Sequence, residues 1–199
     1  GGGMYNFSSS PVITNCAITG NKSLSDGGGI YNNSFSNPVI INTNISANQS
    51  LSTGGGIYNN NSVPVIKNCI IWRNIGYPNS IVPTTGSNVT YSIIEDGYAG
   101  TGNINTDPMF VSPQLAVFAP TILGNYRLKA CSPAINAGNN ASLPGGITTD
   151  LDGNPRIFNS TVDMGSYEQQ YALHDVSGIV FVDSTKNGDG KTWATAVPK

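Results

Sequence analysis

The sequence predicts an all-β chain: a parallel β-helix, or solenoid, of about three regular coils of 26–27 residues followed by irregular closing coils. Three observations carry this. First, one stretch recurs: GGGMYNFSSSPVITNCAITGN, GGGIYNNSFSNPVIINTNISAN and GGGIYNNNSVPVIKNCIIWRN begin at residues 1, 27 and 54. Second, each copy splits its apolar residues into runs of three to five separated by Gly, Asn and Pro, and no run holds helical spacing over three turns. Third, charge is scarce: 10% of residues are charged, against about 25% in an average soluble domain.

Aligning the copies on Pro11, Pro38 and Pro64 gives spacings of 27 and 26 residues. A fixed period of this size indicates a solenoid, a propeller or an array. The unit is too short for a propeller blade of about 40 residues and lacks the helices of ankyrin-like repeats. A coil of three short strands, stacked on its neighbours at about 4.8 Å, fits.

Each part of the unit then has a physical reason. The Gly triplet permits tight backbone approach and positive φ. Asn6, Asn32 and Asn59 follow Tyr5, Tyr31 and Tyr58, and stacked identical amides can hydrogen-bond along the axis. An outward Asn/Tyr row could also contact sugar. Ile13, Ile40 and Ile66 form one apolar column, and Ile18, Ile45 and Ile71 another. Asn15, Asn42 and Asn68 align, as do Asn21, Asn48 and Asn74; Asn tolerates the left-handed backbone of a sharp corner. Cys16 and Cys69 share a column with Thr43 between them. Two coils separate them by about 9–10 Å, beyond the roughly 7 Å reach of a disulfide, so two buried free thiols are expected.

The boundaries read as coils over 1–95, a closing segment over 96–169, and a linker with the start of a further β-helix module over 170–199. Gly1 opens in mid-motif, so upstream coils are expected, and no signal peptide is visible at the front. A net charge of −2 gives no electrostatic draw to nucleic acid or an anionic membrane. No apolar run approaches the roughly 20 residues of a membrane span.

Candidate sites are few. Asp150, Asp152 and Asn154 in TDLDGN alternate as do the first ligands of a calcium loop, and Asp163 could complete a site if the fold brought it close. Gly153 comes too early for that loop, however, and Thr161 stands where its final Glu belongs. A turn in which the Asp side chains satisfy backbone donors is the competing reading. Glu95 and Asp96 are adjacent on one strand and so face opposite ways. Arg127, Lys129 and Arg156 are the basic groups of the closing segment, and Arg156 could lock its turn through a nearby Asp. His174 is the single histidine and lies in the linker. A serine triad or zinc site finds no partners, and no catalytic or cofactor-binding residue is assigned.

The ordered set DPMFV, YRLKACSPAINAG, TDLDGNPR and VDMGSYE resembles the closing segment of bacterial surface proteins with a choice-of-anchor Q domain. The GGGIYN and PVIKNCIIWRN coils resemble the right-handed parallel β-helix repeats that precede it. The resemblance covers about residues 1–168. It implies export to the cell surface, with type IX secretion as one route, and implies no catalytic motif. The tail IVFVDSTKNGDGKTWATAVPK resembles the opening of another β-helix module, and its DST at 183–185 matches a short bacterial O-glycosylation pattern. The expected function is a non-enzymatic extracellular module, an adhesin, stalk or weak glycan-contacting surface, with glycans or surface and secretion-machinery proteins as partners. The competing class is a polysaccharide lyase or glycoside hydrolase fragment with its active site outside this chain. The coils offer only Lys22, Asp26, Lys67 and Arg73, too few for the base and charge stabiliser of a lyase or the two carboxylates of a hydrolase.

Overall fold

A computed structural model describes residues 1–77, 80–83 and 86–170. Its regular part is a parallel β-solenoid. Strands Met4–Phe7, Ile30–Asn33, Ile57–Asn60 and Ile81–Val82 stack into one four-stranded sheet. Val12–Thr14, Val39–Ile41, Val65–Lys67 and Asn88–Thr90 make a second, and Ala17–Thr19, Asn44–Ser46, Ile70–Trp72 and Ile93–Ile94 a third. A short fourth side pairs Lys22–Ser23 with Gln49–Ser50 and reaches Ile75 through an isolated bridge. Register follows the repeat: Val12 stands over Val39, Val39 over Val65 and Val65 over Asn88. The last step is thus shorter than the two before it.

The predicted columns become the core. Ile40, Ile45, Ile66 and Ile71 are fully buried, and Val89 and Ile94 continue the columns into the fourth rung. Ile18 and Cys16, in the first described rung, are only half-buried, covered by a neighbouring rung on one side among the described residues. Asn15, Asn42 and Asn68 hold φ of 52°, 47° and 52°, the left-handed corner that Asn accepts more readily than most residues. The Gly triplet is steric. A Cβ on Gly28 would lie 2.4 Å from the Gly55 carbonyl oxygen of the next rung.

The amide columns form ladders. Asn21 Nδ2 donates to Asn48 Oδ1 at 2.9 Å and Asn48 Nδ2 to Asn74 Oδ1 at 3.0 Å. The Asn6 column does the same on the inner side of the first sheet. Cys16, Cys69 and Cys131 are free thiols. Burial pushes the Cys69 thiol up to about 12, so it packs as a small apolar group.

After Glu95 the chain caps the far end of the solenoid. Tyr98 packs against the core and its hydroxyl accepts from Ser87 N at 3.1 Å. Asn103 accepts from Ser92 N and donates to the Val89 carbonyl, and Ile104 bridges Ile93 as a partial fifth rung. The irregular closing coils amount to this rung and the shortened fourth. The rest of the closing segment lies along the flank, where Phe110–Ser112 pairs antiparallel with Asn125–Leu128. Tyr98 already fills the end of the core, so Phe110, Tyr126, Leu128 and Met164 bury themselves against Ile70 and Ile93, apolar residues of the third sheet outside the main core.

Candidate functional site

Two regions carry the candidate chemistry. The first is the outer face of the first sheet, where Tyr5, Tyr31 and Tyr58 stack in register. Their ring centroids lie 5.2 and 5.1 Å apart in edge-to-face pairs, the favoured geometry for neighbouring rings. The outward column beside them is amide: Asn60 donates to Asn33 Oδ1 at 3.1 Å, and Asn33 donates to the Tyr5 hydroxyl at 3.0 Å. Tyr5 is 54% exposed. Phenol, amide and the Phe7 ring make up this surface, and its three described strands hold no ionisable group other than the tyrosines.

The second region is the flanking segment, which gathers the residues singled out by sequence. Asp150 is 5% exposed. Its Oδ1 accepts from Asp152 N at 2.9 Å and Asn154 N at 2.8 Å, and its Oδ2 accepts from Glu168 N at 2.9 Å. The Asp152 carboxylate is held by the Arg127 guanidinium in a bidentate pair, and Arg127 also lies 4.9 Å from the Tyr167 ring centroid. Asp163 accepts from Asn136 N and Gln169 N, both at 2.7 Å. These oxygens point at N–H donors and a guanidinium instead of at a common centre. The donor set therefore does not fit a calcium ion, and among the described residues no three His, Cys, Asp or Glu groups converge as a metal requires.

Arg156 does lock its turn, through partners other than the expected Asp side chain. The residue is 1% exposed. Its Nη2 donates to the carbonyls of Asp163 at 2.9 Å and Gly165 at 2.6 Å, and its Nη1 lies 3.9 Å from Glu168 Oε2. Burial pushes the Glu168 carboxyl up to about 7, with the neighbouring Asp163 adding to it, and burial raises Asp163 as well. Burial also lowers the Arg156 guanidinium from its usual range. Glu168 carried no spacing signal; its role emerges only because Phe158 N and Asp163 N both donate to it, each at 2.9 Å.

The flank is tied to three rungs. Asn15 donates to the Thr149 carbonyl, Asn42 to that of Asp163, Asn44 to that of Tyr126 and Asn68 to that of Asn139. The Glu95 carboxylate accepts from Arg73 N at 2.7 Å and is raised chiefly by burial, whereas Asp96 sits in a left-handed turn with φ of 70°. Lys129 only continues the antiparallel pair, its N–H donating to the Met109 carbonyl. His174 and the DST stretch lie outside the described residues. Among the described residues no helix is long and apolar enough to cross a membrane. No protein-family model, curated protein or solved structure matches this chain.

Proposed function

We propose that this chain is a non-enzymatic extracellular module of an exported bacterial surface protein, a rigid solenoid whose first-sheet face makes weak contacts to neutral glycans. The supporting observation is the Tyr5–Tyr31–Tyr58 ladder with its row of Asn amides. Aromatic rings offer apolar area at low entropic cost, and their polar tips reach water. Amides both donate and accept, as the hydroxyls of a sugar require. The rungs repeat such a contact at strand spacing, so weak single contacts add along a polymer. The three described strands carry no carboxylate, imidazole or amine side chain, which suits binding better than hydrolysis or elimination. The export route follows from the resemblance to choice-of-anchor Q proteins.

A glycan array probed with the whole chain and with Tyr31→Ala tests the reading. Selective retention of neutral polysaccharides, weakened about tenfold or more by Tyr31→Ala, is the expected result. Release of unsaturated or reducing-end sugar from those polysaccharides would instead make the chain an enzyme.

A further inference from the structure

The inner amide column has a direction. Asn6 Nδ2 donates to Asn32 Oδ1 and Asn32 Nδ2 to Asn59 Oδ1, each at 2.8 Å. The donor of every amide thus points to the rung that follows. In the fourth rung Ile81 pairs with Ile57 and Val82 with Tyr58, so Pro83 comes next, where the ladder needs an amide. Pro83 offers no side-chain acceptor. Asn59 Nδ2 is accordingly a buried donor with no partner among the described residues, on a side chain only 5% exposed. Such a group is costly to leave unmade, and aligned amides polarise one another, which strengthens the donor at the end of the chain.

An open groove of about 540 Å³ lies at this corner, with Asn59, Phe35, Val63 and Pro83 in its lining. Phe35 is 78% exposed and holds φ of 61°, a left-handed conformation that a bulky residue seldom keeps. Two of the acceptors nearby are already engaged. Asn37 Oδ1 accepts from Val63 N at 2.6 Å and the Asn61 carbonyl accepts from Phe35 N at 2.9 Å. Among the described residues no ionisable side chain lines the groove.

These features select a ligand chemistry. A group entering the groove finds one buried free donor at Asn59, the exposed amides of Asn37 and Asn61, an apolar wall from Val63 and Pro83, and one exposed ring. A plain hydroxyl could take the same donor but would leave the apolar wall of Val63 and Pro83 uncovered. An anion would meet no cation. A carbonyl with an apolar neighbour satisfies every term. We propose that this groove seats the acetamido group of a neutral N-acetylated sugar, its carbonyl oxygen accepting from Asn59 Nδ2, its methyl against Val63 and Pro83, and the sugar ring over Phe35. The inference rests on the glycan-contact reading and narrows it to one class of sugar, gripped at the fourth-rung corner beside Pro83.

Calorimetric titration of the whole chain with a β-1,4-linked N-acetylglucosamine trimer and with the matching glucose trimer tests it. The N-acetylated trimer binds at least tenfold tighter. Phe35→Asn, which suits the left-handed backbone and so retains the fold, removes that preference, and Asn59→Ala does the same if circular dichroism shows it folded. Equal binding of the two trimers, unchanged by Phe35→Asn and lost in Tyr31→Ala, would overturn the groove and leave the tyrosine face standing. Binding of neither trimer also overturns the groove, and the wider glycan array then decides the face separately.

Discussion

Asn32 and Arg156 are both buried polar side chains, at 0% and 1% exposure, and they are held by opposite means, with Arg156 Nε and Nη1 left without a hydrogen bond among the described residues. Asn32 bonds to copies of itself one rung to either side. Arg156 bonds to two carbonyls and faces one carboxylate, partners that occur once in the chain. The rungs therefore spread their polar burial over many equivalent contacts, whereas the flank concentrates it at one guanidinium among three acids, Asp150, Asp163 and Glu168. Repetition makes the solenoid tolerant of single losses, and the flank depends on a lock without a spare.

The sharpest way to break this comparison is Arg156→Met. Removing the cation leaves buried acids without their counter-charge, a loss of about 3–5 kcal/mol, read from urea unfolding. A cost below that of any ladder mutant would show that the flank is not held by its guanidinium. Asn32→Ala comes next. It breaks two ladder bonds and strands the Asn6 donor and the Asn59 acceptor, at about 1–3 kcal/mol for each group left unsatisfied. Rungs on either side retain their apolar columns, so circular dichroism should keep its β signal.

The pH dependence sharpens the same contrast. Glu168 is raised to about 7 and Asp163 is raised as well, chiefly by burial. The folded state thus holds protons that the unfolded chain releases at ordinary carboxyl values, and stability falls as pH rises from about 4.5 through about 7. Glu168→Gln should remove most of that slope in a series of thermal melts, while Asn32→Ala should leave it intact. The smallest expected effect is that of calcium. Millimolar calcium should leave Tm unchanged, because Asp150 and Asp152 already spend their oxygens on backbone N–H groups and Arg127. A rise of several degrees would mean that those contacts give way to the ion.

The rungs were legible because a residue in a stacked coil has its own counterpart as neighbour, so the alignment of copies is already a contact map. Ile40 beside Ile66, Asn48 beside Asn74 and the free Cys16 and Cys69 all follow from the spacing. The flank was not legible in that way. Asp150, Asp152 and Asn154 have a spacing that serves a calcium loop and an Asp-anchored turn equally well, and only Arg127, 25 residues away, separates the two. One signal was present. The column Ala17, Asn44, Ile70, Ile93 turns apolar along the axis, which marks a surface waiting to be covered. The fourth-rung groove could also be anticipated, from Pro83 interrupting the column of Asn6, Asn32 and Asn59.

The partners of the flank also set an order of assembly. A rung bonds to residues 26 or 27 positions away, as in the ladder, but Asn68 reaches Asn139 across 71 positions and Asn15 reaches Thr149 across 134. Long loops close slowly, and contacts distant in sequence form late. The coils can therefore grow one upon another as the chain emerges, and the flank latches only after they stand. On the return path the same seam opens first, so its amides are the ones to exchange with solvent while the solenoid beneath is still intact.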